Sequence, residues 1–325
     1  MITSKIVATG AGLPEQVITN DDLAKIVDTS DEWISQRTGI RERRISSGEN
    51  LSVFASRAAS QILERANVAA EQVDLIVVAT CTADYGTPCL ACQVQKEIGA
   101  KNAVAFDVTA ACSGFLFGLS VADKFIKCGV YQNALVIGGE LLSKIVDWTD
   151  RSTCVLFGDG AAGVLLQKTE GEDGILMEEL GSQGDMYEVL TDGYTPASNA
   201  FNEVAPLTKQ DYVHMDGREV FKFATKKIVE SVNRVMERAG ITAQDVTYFV
   251  PHQANARIVE VAARKLNVPY EKFYMNIERF GNTSSASIPT ALNEMNEKGL
   301  LKKGDRIILC GFGGGLSWGT VLITW

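Results

Sequence analysis

The stretch AVAFDVTAACSG, residues 103–114, joins an apolar, β-branched run to a thiol that stands among small residues. Its first half is typical of a buried strand, and the segment from Phe115 to Lys127 shows the apolar spacing of a helix. Cys112 therefore falls at the corner where a strand ends and a helix begins. A strand, a corner and a helix in this order form the repeating unit of α/β proteins, which predicts that fold class.

The second half of the chain repeats the order of the first. Cys81 follows one strand-like run and precedes Cys112 by 31 residues, while His252 follows another and precedes Asn282 by 30. We therefore predict that Cys112 and Asn282 occupy equivalent strand-to-helix corners of two duplicated halves. The remaining strand-like runs lie at residues 75–80, 134–138, 163–166, 246–250, 273–276, 307–310 and 320–323. The predicted boundary separates residues 1–170, which carry Cys112, from residues 171–325, which carry His252 and Asn282.

Composition excludes several classes of protein. The 325 residues are 46% hydrophobic and 22% charged, which is ordinary for a globular protein. A net charge of −9 argues against wholesale binding of nucleic acid. No run reaches 18 consecutive apolar residues, and the first residues lack the apolar core of a signal peptide, so we expect neither a membrane span nor export. Seven cysteines, an odd number without framework spacing, indicate reduced thiols in a cytoplasm.

Cys112 is the candidate nucleophile. The start of a helix lowers the pKa of a thiol through its dipole and free backbone N–H groups, so we expect a depressed pKa here. The alternative is that Cys112 is a small buried hydrophobe, the usual role of a free cysteine. Cys89 and Cys92 form a CxxC pair without a second pair or a nearby histidine, so we expect no metal there, although a redox dithiol stays open. We assign the role of buried hydrophobe to Cys81, Cys89, Cys92, Cys128, Cys154 and Cys310.

His252 and Asn282 are the candidate partners of the thiol. His252 directly follows an apolar strand, where ligand-facing loops occur in α/β folds, although a structural histidine is the alternative. Asn282 stands in Gly-Asn-Thr-Ser, which is also ordinary turn chemistry. The cluster Gly311–Gly315 lacks the spacing of a phosphate-binding loop and fits an oxyanion hole better. We interpret Phe157–Ala161 as a turn that joins two strands.

At these residues the sequence resembles the β-ketoacyl-acyl carrier protein synthase III family of the thiolase-like superfamily. The resemblance covers essentially the whole chain, and seven motifs in the family's order make it specific. They are Asp28–Ile34, Arg37–Arg43, Ala111–Gly114, Phe157–Ala161, Pro251–Asn255, Gly281–Ser284 and Phe312–Gly315.

The resemblance implies a thiolase fold, five layers ordered αβαβα, in a homodimer. It implies an acyltransferase that initiates type II fatty acid synthesis. Cys112 would accept the acyl group of an acyl-CoA primer, with the backbone N–H groups of Cys112 and Gly314 as the oxyanion hole. His252 and Asn282 would then stabilise the enolate formed from malonyl-acyl carrier protein by loss of carbon dioxide. We expect no cofactor, no metal, no nucleic acid and no membrane partner.

Single positions also match the family. Those that match CoA contacts are Trp33, Arg37, Arg151, Gly217 and Asn255. Those that match the basic docking surface for the acidic carrier protein are Lys222, Arg257, Arg264 and Lys265. The candidates for the acyl pocket are Thr87, Leu142 and Phe157, and Thr87 stands where acetyl-selective relatives hold a phenylalanine that reaches into the partner subunit's pocket.

Three other functions compete with this reading. A starter-unit synthase of a polyketide or alkylquinolone pathway would keep the same three residues and change the pocket. A papain-like hydrolase also orders Cys, His and Asn, and 140 residues separate Cys112 from His252, but its Cys-Gly-Ser-Cys-Trp signature is missing. A non-catalytic acyl-binding scaffold would be expected to lose one of the three residues, and all three are present.

Overall fold

The computed structural model describes residues 2–171, 173–194, 197, 199–201 and 212–325, in which strands alternate with helices. The strands are β1 Ile2–Gly12, β2 Val17–Thr19, β3 Glu42–Arg44, β4 Leu75–Ala79, β5 Val104–Val108, β6 Asn133–Leu141, β7 Asp159–Glu170, β8 Gly174–Ser182, β9 Leu190–Thr191, β10 His214–Met215, β11 Tyr248–Pro251, β12 Arg306–Gly313 and β13 Ser317–Thr324. The α-helices are α1 Asn20–Leu23, α2 Asp31–Thr38, α3 Leu51–Ala66, α4 Leu90–Ile98, α5 Gly114–Lys127, α6 Gly217–Ala239, α7 Ala256–Leu266, α8 Ile277–Phe280 and α9 Ser287–Glu297.

Two large sheets repeat one topology. The first has the order β1-β7-β6-β4-β5, and the second has the order β8-β13-β12-β11. In the first sheet β4 pairs in parallel with β5 and β6, and β7 is antiparallel to its neighbours β1 and β6. In the second sheet β11 and β12 are parallel, and β13 is antiparallel to β12 and β8. The matching order and directions confirm two duplicated halves.

The expected strand at residues 273–276 is wrong. Only Phe273 pairs there, through an isolated parallel bridge to Phe249. The side chain of Gln253 takes the place of further strand pairing, because its Nε2 donates to the Tyr274 carbonyl at 3.1 Å and its Oε1 accepts from the Asn276 N–H at 2.8 Å. The second sheet therefore has only a single bridge where the first sheet has its fifth strand. The side chain of Gln253, next to His252, holds this segment in place.

Apolar faces stack the elements in five layers. Helices α3 and α4 cover the outer face of the first sheet, and α6 and α7 cover the outer face of the second. Between the sheets lie α5 and α9, whose buried side chains contact both inner faces. Strand β4 is buried throughout, as expected for a sheet covered on both faces. The predicted αβαβα arrangement is confirmed.

The two central helices begin at corners that press against each other. A short 3₁₀ turn precedes each helix, Ala111–Ser113 before α5 and Ser284–Ala286 before α9. Each turn opens with a non-glycine residue in the left-handed region, at φ 46° for Ala111 and 50° for Ser284. Such conformations persist where surrounding contacts hold them and cluster at functional sites. At residue level Ala111 therefore matches Ser284, and Asn282 lies two residues before its corner rather than opposite Cys112.

Gly138 in β6 allows the second corner to reach the first sheet. A Cβ atom at Gly138 would lie 2.2 Å from the Ser285 carbonyl oxygen, closer than any real contact. Ser285 in turn donates from Oγ to the Ala79 carbonyl of β4 at 2.9 Å. The missing side chain at Gly138 thus sets the spacing between the second corner and the first sheet.

We predict that Gly138→Ala lowers the free energy of unfolding by about 1–3 kcal/mol, because the added methyl group must displace the backbone at Ser285. Urea denaturation at fixed protein concentration measures the change. Gly184→Ala is the matched control, since a Cβ at Gly184 meets no atom within 4 Å, and it should change stability by less than about 0.5 kcal/mol. Equal stability of the two variants would contradict this role of Gly138.

Candidate active site

A cavity of about 380 Å³ opens where the two corners meet. Cys112, His252 and Asn282 all line it, so residues far apart in the sequence share one chamber. The other lining residues are Cys81, Thr109, Ala110, Ala111, Leu142, Phe157, Leu190, Thr191, Asp192, Val213, Met215, Val220, Ala254, Ser284, Phe312, Gly313, Gly314 and Gly315. The walls are largely apolar, with a few convergent polar groups, as in most small-molecule sites.

Cys112 lies in the 3₁₀ turn at the start of α5, as expected, but its pKa differs from the prediction. Loss of water around the sulfur raises the pKa of the thiol to about 12, and a hydrogen bond from the Ser284 side chain lowers it by a smaller amount. The expected depression of the pKa is wrong because desolvation of a thiolate outweighs the favourable helix start. The thiol is therefore protonated at neutral pH.

His252 is buried at the end of β11, where its backbone N–H donates to the Cys310 carbonyl at 2.7 Å. Its Nδ1 lies 2.7 Å from the Ser287 hydroxyl, and its ring meets Phe312 edge-on, with 5.3 Å between centroids. Among the described residues Nε2 has no hydrogen-bond partner. Burial lowers the pKa of His252 to about 3, against a smaller opposing effect of the Ser284 backbone. The imidazole is therefore neutral at neutral pH and has one nitrogen left for a ligand.

Asn282 is held by the segment that we interpreted as a turn. Its N–H donates to the Leu156 carbonyl at 2.9 Å, and its carbonyl accepts from the Gly158 N–H at 3.0 Å. Residues 157–161 are therefore not a turn between strands; Phe157 bridges Asn282, and β7 begins at Asp159. The Asn282 Oδ1 accepts from the Ser284 N–H at 2.8 Å, which leaves Nδ2 as a donor for a group in the cavity.

The glycine cluster closes the wall beside the thiol. A Cβ at Gly313 would lie 2.6 Å from the Cys112 backbone nitrogen, so only glycine allows β12 to come this near. Gly314 lines the cavity and lies opposite Ala111. A Cβ added at Gly314 would be 3.5 Å from the Cβ of Ala111. Ser113 and Ser317 tie the two segments together through their hydroxyls at 2.8 Å.

Comparison with known proteins identifies this arrangement. Family models described as 3-oxoacyl-[acyl-carrier-protein] synthase III and as its C-terminal region match residues 106–184 and 236–325. The chain is 51% identical to the beta-ketoacyl-[acyl-carrier-protein] synthase III of Clostridium acetobutylicum, over 100% of this chain and 99% of that one. The chain belongs to the 3-oxoacyl-[acyl-carrier-protein] synthase III family. It is an acyl-transferring condensing enzyme, as the sequence predicted.

Solved structures support the same assignment. The 3-oxoacyl-[acyl-carrier-protein] synthase III of Aquifex aeolicus is 47% identical, with a TM-score of 0.92 over 99% of this chain and 100% of that one. The priming β-ketosynthase of the R1128 polyketide pathway is 34% identical, with a TM-score of 0.91 over 99% of this chain and 96% of that one. The thiolase fold of the synthase III family is thereby confirmed.

The positions that match the family's CoA contacts mostly cluster around α2. The guanidinium carbons of Arg37 and Arg151 lie 4.7 Å and 5.3 Å from the Trp33 ring centroid. Asn255 donates from Nδ2 to the Arg37 carbonyl at 3.0 Å, which joins this cluster to the start of α7, close to His252. Gly217 lies apart from them in sequence, exposed at the start of α6.

The candidate docking residues lie on two helices that pack together. Lys222 is exposed on α6, and Arg257, Arg264 and Lys265 are exposed on α7. An ion pair of 2.6 Å with Glu219 partly neutralises Lys222. The sequence analysis did not include other exposed cations of α6; two of them, Arg218 and Lys226, lie four residues on either side of Lys222, a spacing that could have indicated them.

The candidate acyl-pocket residues separate into two groups. Leu142 and Phe157 line the cavity of this subunit. Thr87 is exposed and does not line it. It lies three residues before α4, which begins at Leu90.

Three polar residues of the site were not predicted from the sequence, and the role predicted for one thiol was wrong. Cys81 is not a simple core residue, because it lines the cavity with Cys112; burial raises the pKa of its thiol strongly. Ser287 contacts the His252 ring, and Ser284 contacts Cys112. Glu140, a lone acid near the end of a strand-like run, was visible in the sequence as an exception to the apolar pattern, and it lies fully buried behind the cavity wall.

Two negative findings concern the described part of the chain. It holds no group of three or more side chains able to bind a metal ion. None of its helices combines the length and apolarity needed to cross a membrane.

All seven cysteines are free, although the Cys89 and Cys92 sulfurs lie 3.3 Å apart.

Proposed function

We propose that the chain transfers the acyl group of an acyl-CoA primer to Cys112 and condenses it with malonyl-acyl carrier protein. The products are 3-oxoacyl-acyl carrier protein, CoA and carbon dioxide. The observation that carries this proposal is the meeting of a thiol, a neutral imidazole and a carboxamide in one largely apolar cavity. The 51% identity to a relative named for this reaction supports it, and the 34% identity to a polyketide priming enzyme makes that alternative the weaker one.

In the first half-reaction the Cys112 sulfur attacks the primer thioester, and CoA leaves as its thiolate. The oxyanion of the tetrahedral intermediate lies between the backbone N–H groups of Cys112 and Gly314. The close approach of Gly313 to the Cys112 nitrogen supports this pairing of two segments. Trp33, flanked by Arg37 and Arg151, offers an aromatic face and positive charge suited to an adenine with its phosphates. Gly217 and Asn255 are the proposed contacts to the pantetheine arm.

In the second half-reaction His252 and Asn282 donate hydrogen bonds to the malonyl thioester oxygen as carbon dioxide leaves. For His252 this requires the Ser287 hydroxyl to donate to Nδ1, so that Nε2 carries the hydrogen. Two neutral donors in a dry cavity stabilise the enolate strongly without giving up a proton. The enolate carbon then attacks the acyl carbonyl on Cys112, and the Cys112 thiolate departs.

The carrier protein docks, in this proposal, on the surface formed by α6 and α7. Exposed cations on both helices suit an acidic partner, although the chain as a whole carries a net charge of −9. The start of α7 at Ala256 lies four residues after His252, so a partner on this surface is close to the catalytic residues.

We further propose a homodimer that forms along β5. This strand is one edge of the first sheet, Val104 is 48% exposed, and Phe106 and Val108 are half-buried. An edge strand with apolar side chains is normally covered. Helix α4 packs on β5, and Thr87 lies three residues before α4, so Thr87 would come close to the partner's acyl pocket.

Two smaller proposals complete this picture. The boundary between the halves falls after residue 170, which the end of β7 at Glu170 and the start of β8 at Gly174 support. The enzyme works in the cytoplasm, which the seven free cysteines support.

Intact-mass measurement after incubation with butyryl-CoA tests the function. The wild type should gain one acyl mass, and it should release carbon dioxide when malonyl-acyl carrier protein is added. Cys112→Ala should gain none, because the nucleophile is missing. Cys81→Ala is the matched control from the same cavity and should still be acylated. Persistent acylation of Cys112→Ala would overturn the assignment.

His252→Ala should separate the half-reactions. Acylation should stay within a few-fold of wild type, while condensation falls roughly 10²–10³-fold, the usual effect of losing an oxyanion donor. Single-turnover acylation and carbon dioxide release measure the two steps. The exposed His214 provides the control variant His214→Ala, which should change neither. If acylation by His252→Ala falls as far as condensation does, His252 is instead the base for Cys112.

Thr87 should set primer length in the partner's pocket. The wild type should accept primers longer or bulkier than acetyl, since each buried methylene contributes about 0.8 kcal/mol, roughly fourfold in preference. Thr87→Phe should restore acetyl preference by filling that volume, and Thr87→Ala should not. The values of kcat/KM for acetyl-, butyryl-, isobutyryl- and octanoyl-CoA measure this. Acetyl preference in the wild type, or no narrowing in Thr87→Phe, would contradict the role.

A further inference from the structure

Glu140 is a fully buried carboxylate that hydroxyl and N–H donors surround. It lies near the end of β6, and among the described residues no cation forms a salt bridge with it. Burial raises the pKa of Glu140 to about 7, and its hydrogen bonds offset only part of that effect. The donors to its oxygens are Thr80 Oγ1 at 3.3 Å, Cys81 N at 3.1 Å, Thr82 Oγ1 at 2.5 Å, Ser284 Oγ at 3.3 Å and Ser285 Oγ at 3.3 Å.

Ser284 connects this carboxylate to the nucleophile. Its hydroxyl donates to Glu140 Oε1 at 3.3 Å, and the same side chain lies beside the Cys112 thiol, whose pKa it lowers. The left-handed backbone at Ser284 and the bond from its N–H to Asn282 hold this residue in the corner. Cys112, Ser284 and Glu140 therefore form a continuous path from the cavity to a buried group that can hold a proton.

The reaction requires such a group. The Cys112 thiol is protonated at rest and loses its proton when the carbon–sulfur bond forms. His252 is a poor acceptor, because burial keeps its imidazole neutral down to acidic pH. We propose that Glu140, acting through the Ser284 hydroxyl, takes up the Cys112 proton during acylation and returns it after condensation. This inference rests on the proposed function of Cys112.

The protons balance over one turnover. During acylation the thiol proton passes to Ser284 Oγ while the Ser284 hydroxyl proton passes to Glu140 Oε1. The leaving CoA thiolate takes its proton from solvent, which is the one proton that the overall reaction consumes. Condensation releases the Cys112 thiolate, and the same path in reverse restores the thiol and the Glu140 carboxylate. While the acyl group is held, Glu140 is neutral and does not repel the enolate that forms nearby.

Four charged or titratable groups surround this path. Cys81 faces it from the corner after β4, His252 interacts with the Ser284 backbone, and Asp192, in the cavity wall after β9, raises the pKa of Glu140. Lys144, which follows β6, acts in the opposite sense but donates its ammonium hydrogens to the Thr82 and Ala83 carbonyls. Glu140 therefore exchanges its proton through Ser284 rather than with a fixed cation.

Rapid-quench acylation by butyryl-CoA between pH 5.5 and 9 tests the proposal. In the wild type the rate constant should rise up to tenfold per pH unit and level off above a midpoint near 7, as Glu140 ionises. In Glu140→Gln the midpoint should vanish and the rate constant at pH 7.5 should fall roughly 100-fold or more. Ser284→Ala should also lose the midpoint. Ser285→Ala, which removes an equivalent donor to Glu140 outside the path, should keep it.

A second measurement separates proton transfer from a structural role. Glu140→Gln acylated by long incubation should condense with malonyl-acyl carrier protein within a few-fold of wild type, because a thiolate can depart without the returned proton. A midpoint near 7 that persists in Glu140→Gln and Ser284→Ala, or an equal fall of both half-reactions, would overturn the proposal. If Glu140→Gln does not fold, Ser284→Ala decides. If wild-type Cys112 is not acylated at all, the proposed function itself fails.

Discussion

Close backbone contact between each central corner and a strand of the other half is the constraint on which the site depends. Gly138 and Gly313 stand where an added Cβ would be 2.2 Å from Ser285 O and 2.6 Å from Cys112 N, so each corner packs on the other half without a side chain between them. At a third such point, Gly158, an added Cβ would be 2.3 Å from the Phe280 carbonyl oxygen, and this glycine follows Phe157, whose bridge holds Asn282. A side chain at any of these points would separate the nucleophile from the two donors.

This close packing also creates the electrostatics of the site, since it removes water from Cys112, Glu140 and His252 together. Desolvation lowers the pKa of His252 and raises the pKa of Cys112 and of Glu140. For an imidazole that donates hydrogen bonds to an enolate, a lowered pKa is useful because the ring stays neutral. For the proposed nucleophile the raised pKa is unfavourable, because the thiol would have to give its proton to a nearby acceptor.

Much of the fold followed from periodicity, whereas parts of the site did not. Apolar runs separated by helical patterns predicted most strands and the duplication, because burial on both faces leaves continuous apolar segments. The prediction of a strand at residues 273–276 failed because the side chain of Gln253, from another segment, satisfies the backbone groups there. The prediction of a low pKa for Cys112 failed because it used only the helix start, which is local in sequence. Desolvation of the thiol comes from cavity walls that both halves contribute. The contacts of Glu140 likewise join residues 140 and 284, which no local pattern relates.

The duplicated architecture explains why the catalytic groups divide as they do. Both corners share one backbone form, with Ala111 and Ser284 in the left-handed region at equivalent places. In the first half the next residue is the thiol; in the second it is Ser285, whose hydroxyl is bonded to the Ala79 carbonyl and Glu140. At this position the second corner therefore has, instead of a second thiol, a hydroxyl group that makes structural hydrogen bonds. Since the two corners face one cavity, in the proposed mechanism the second corner supplies Asn282 for the enolate and Ser284 for the thiol.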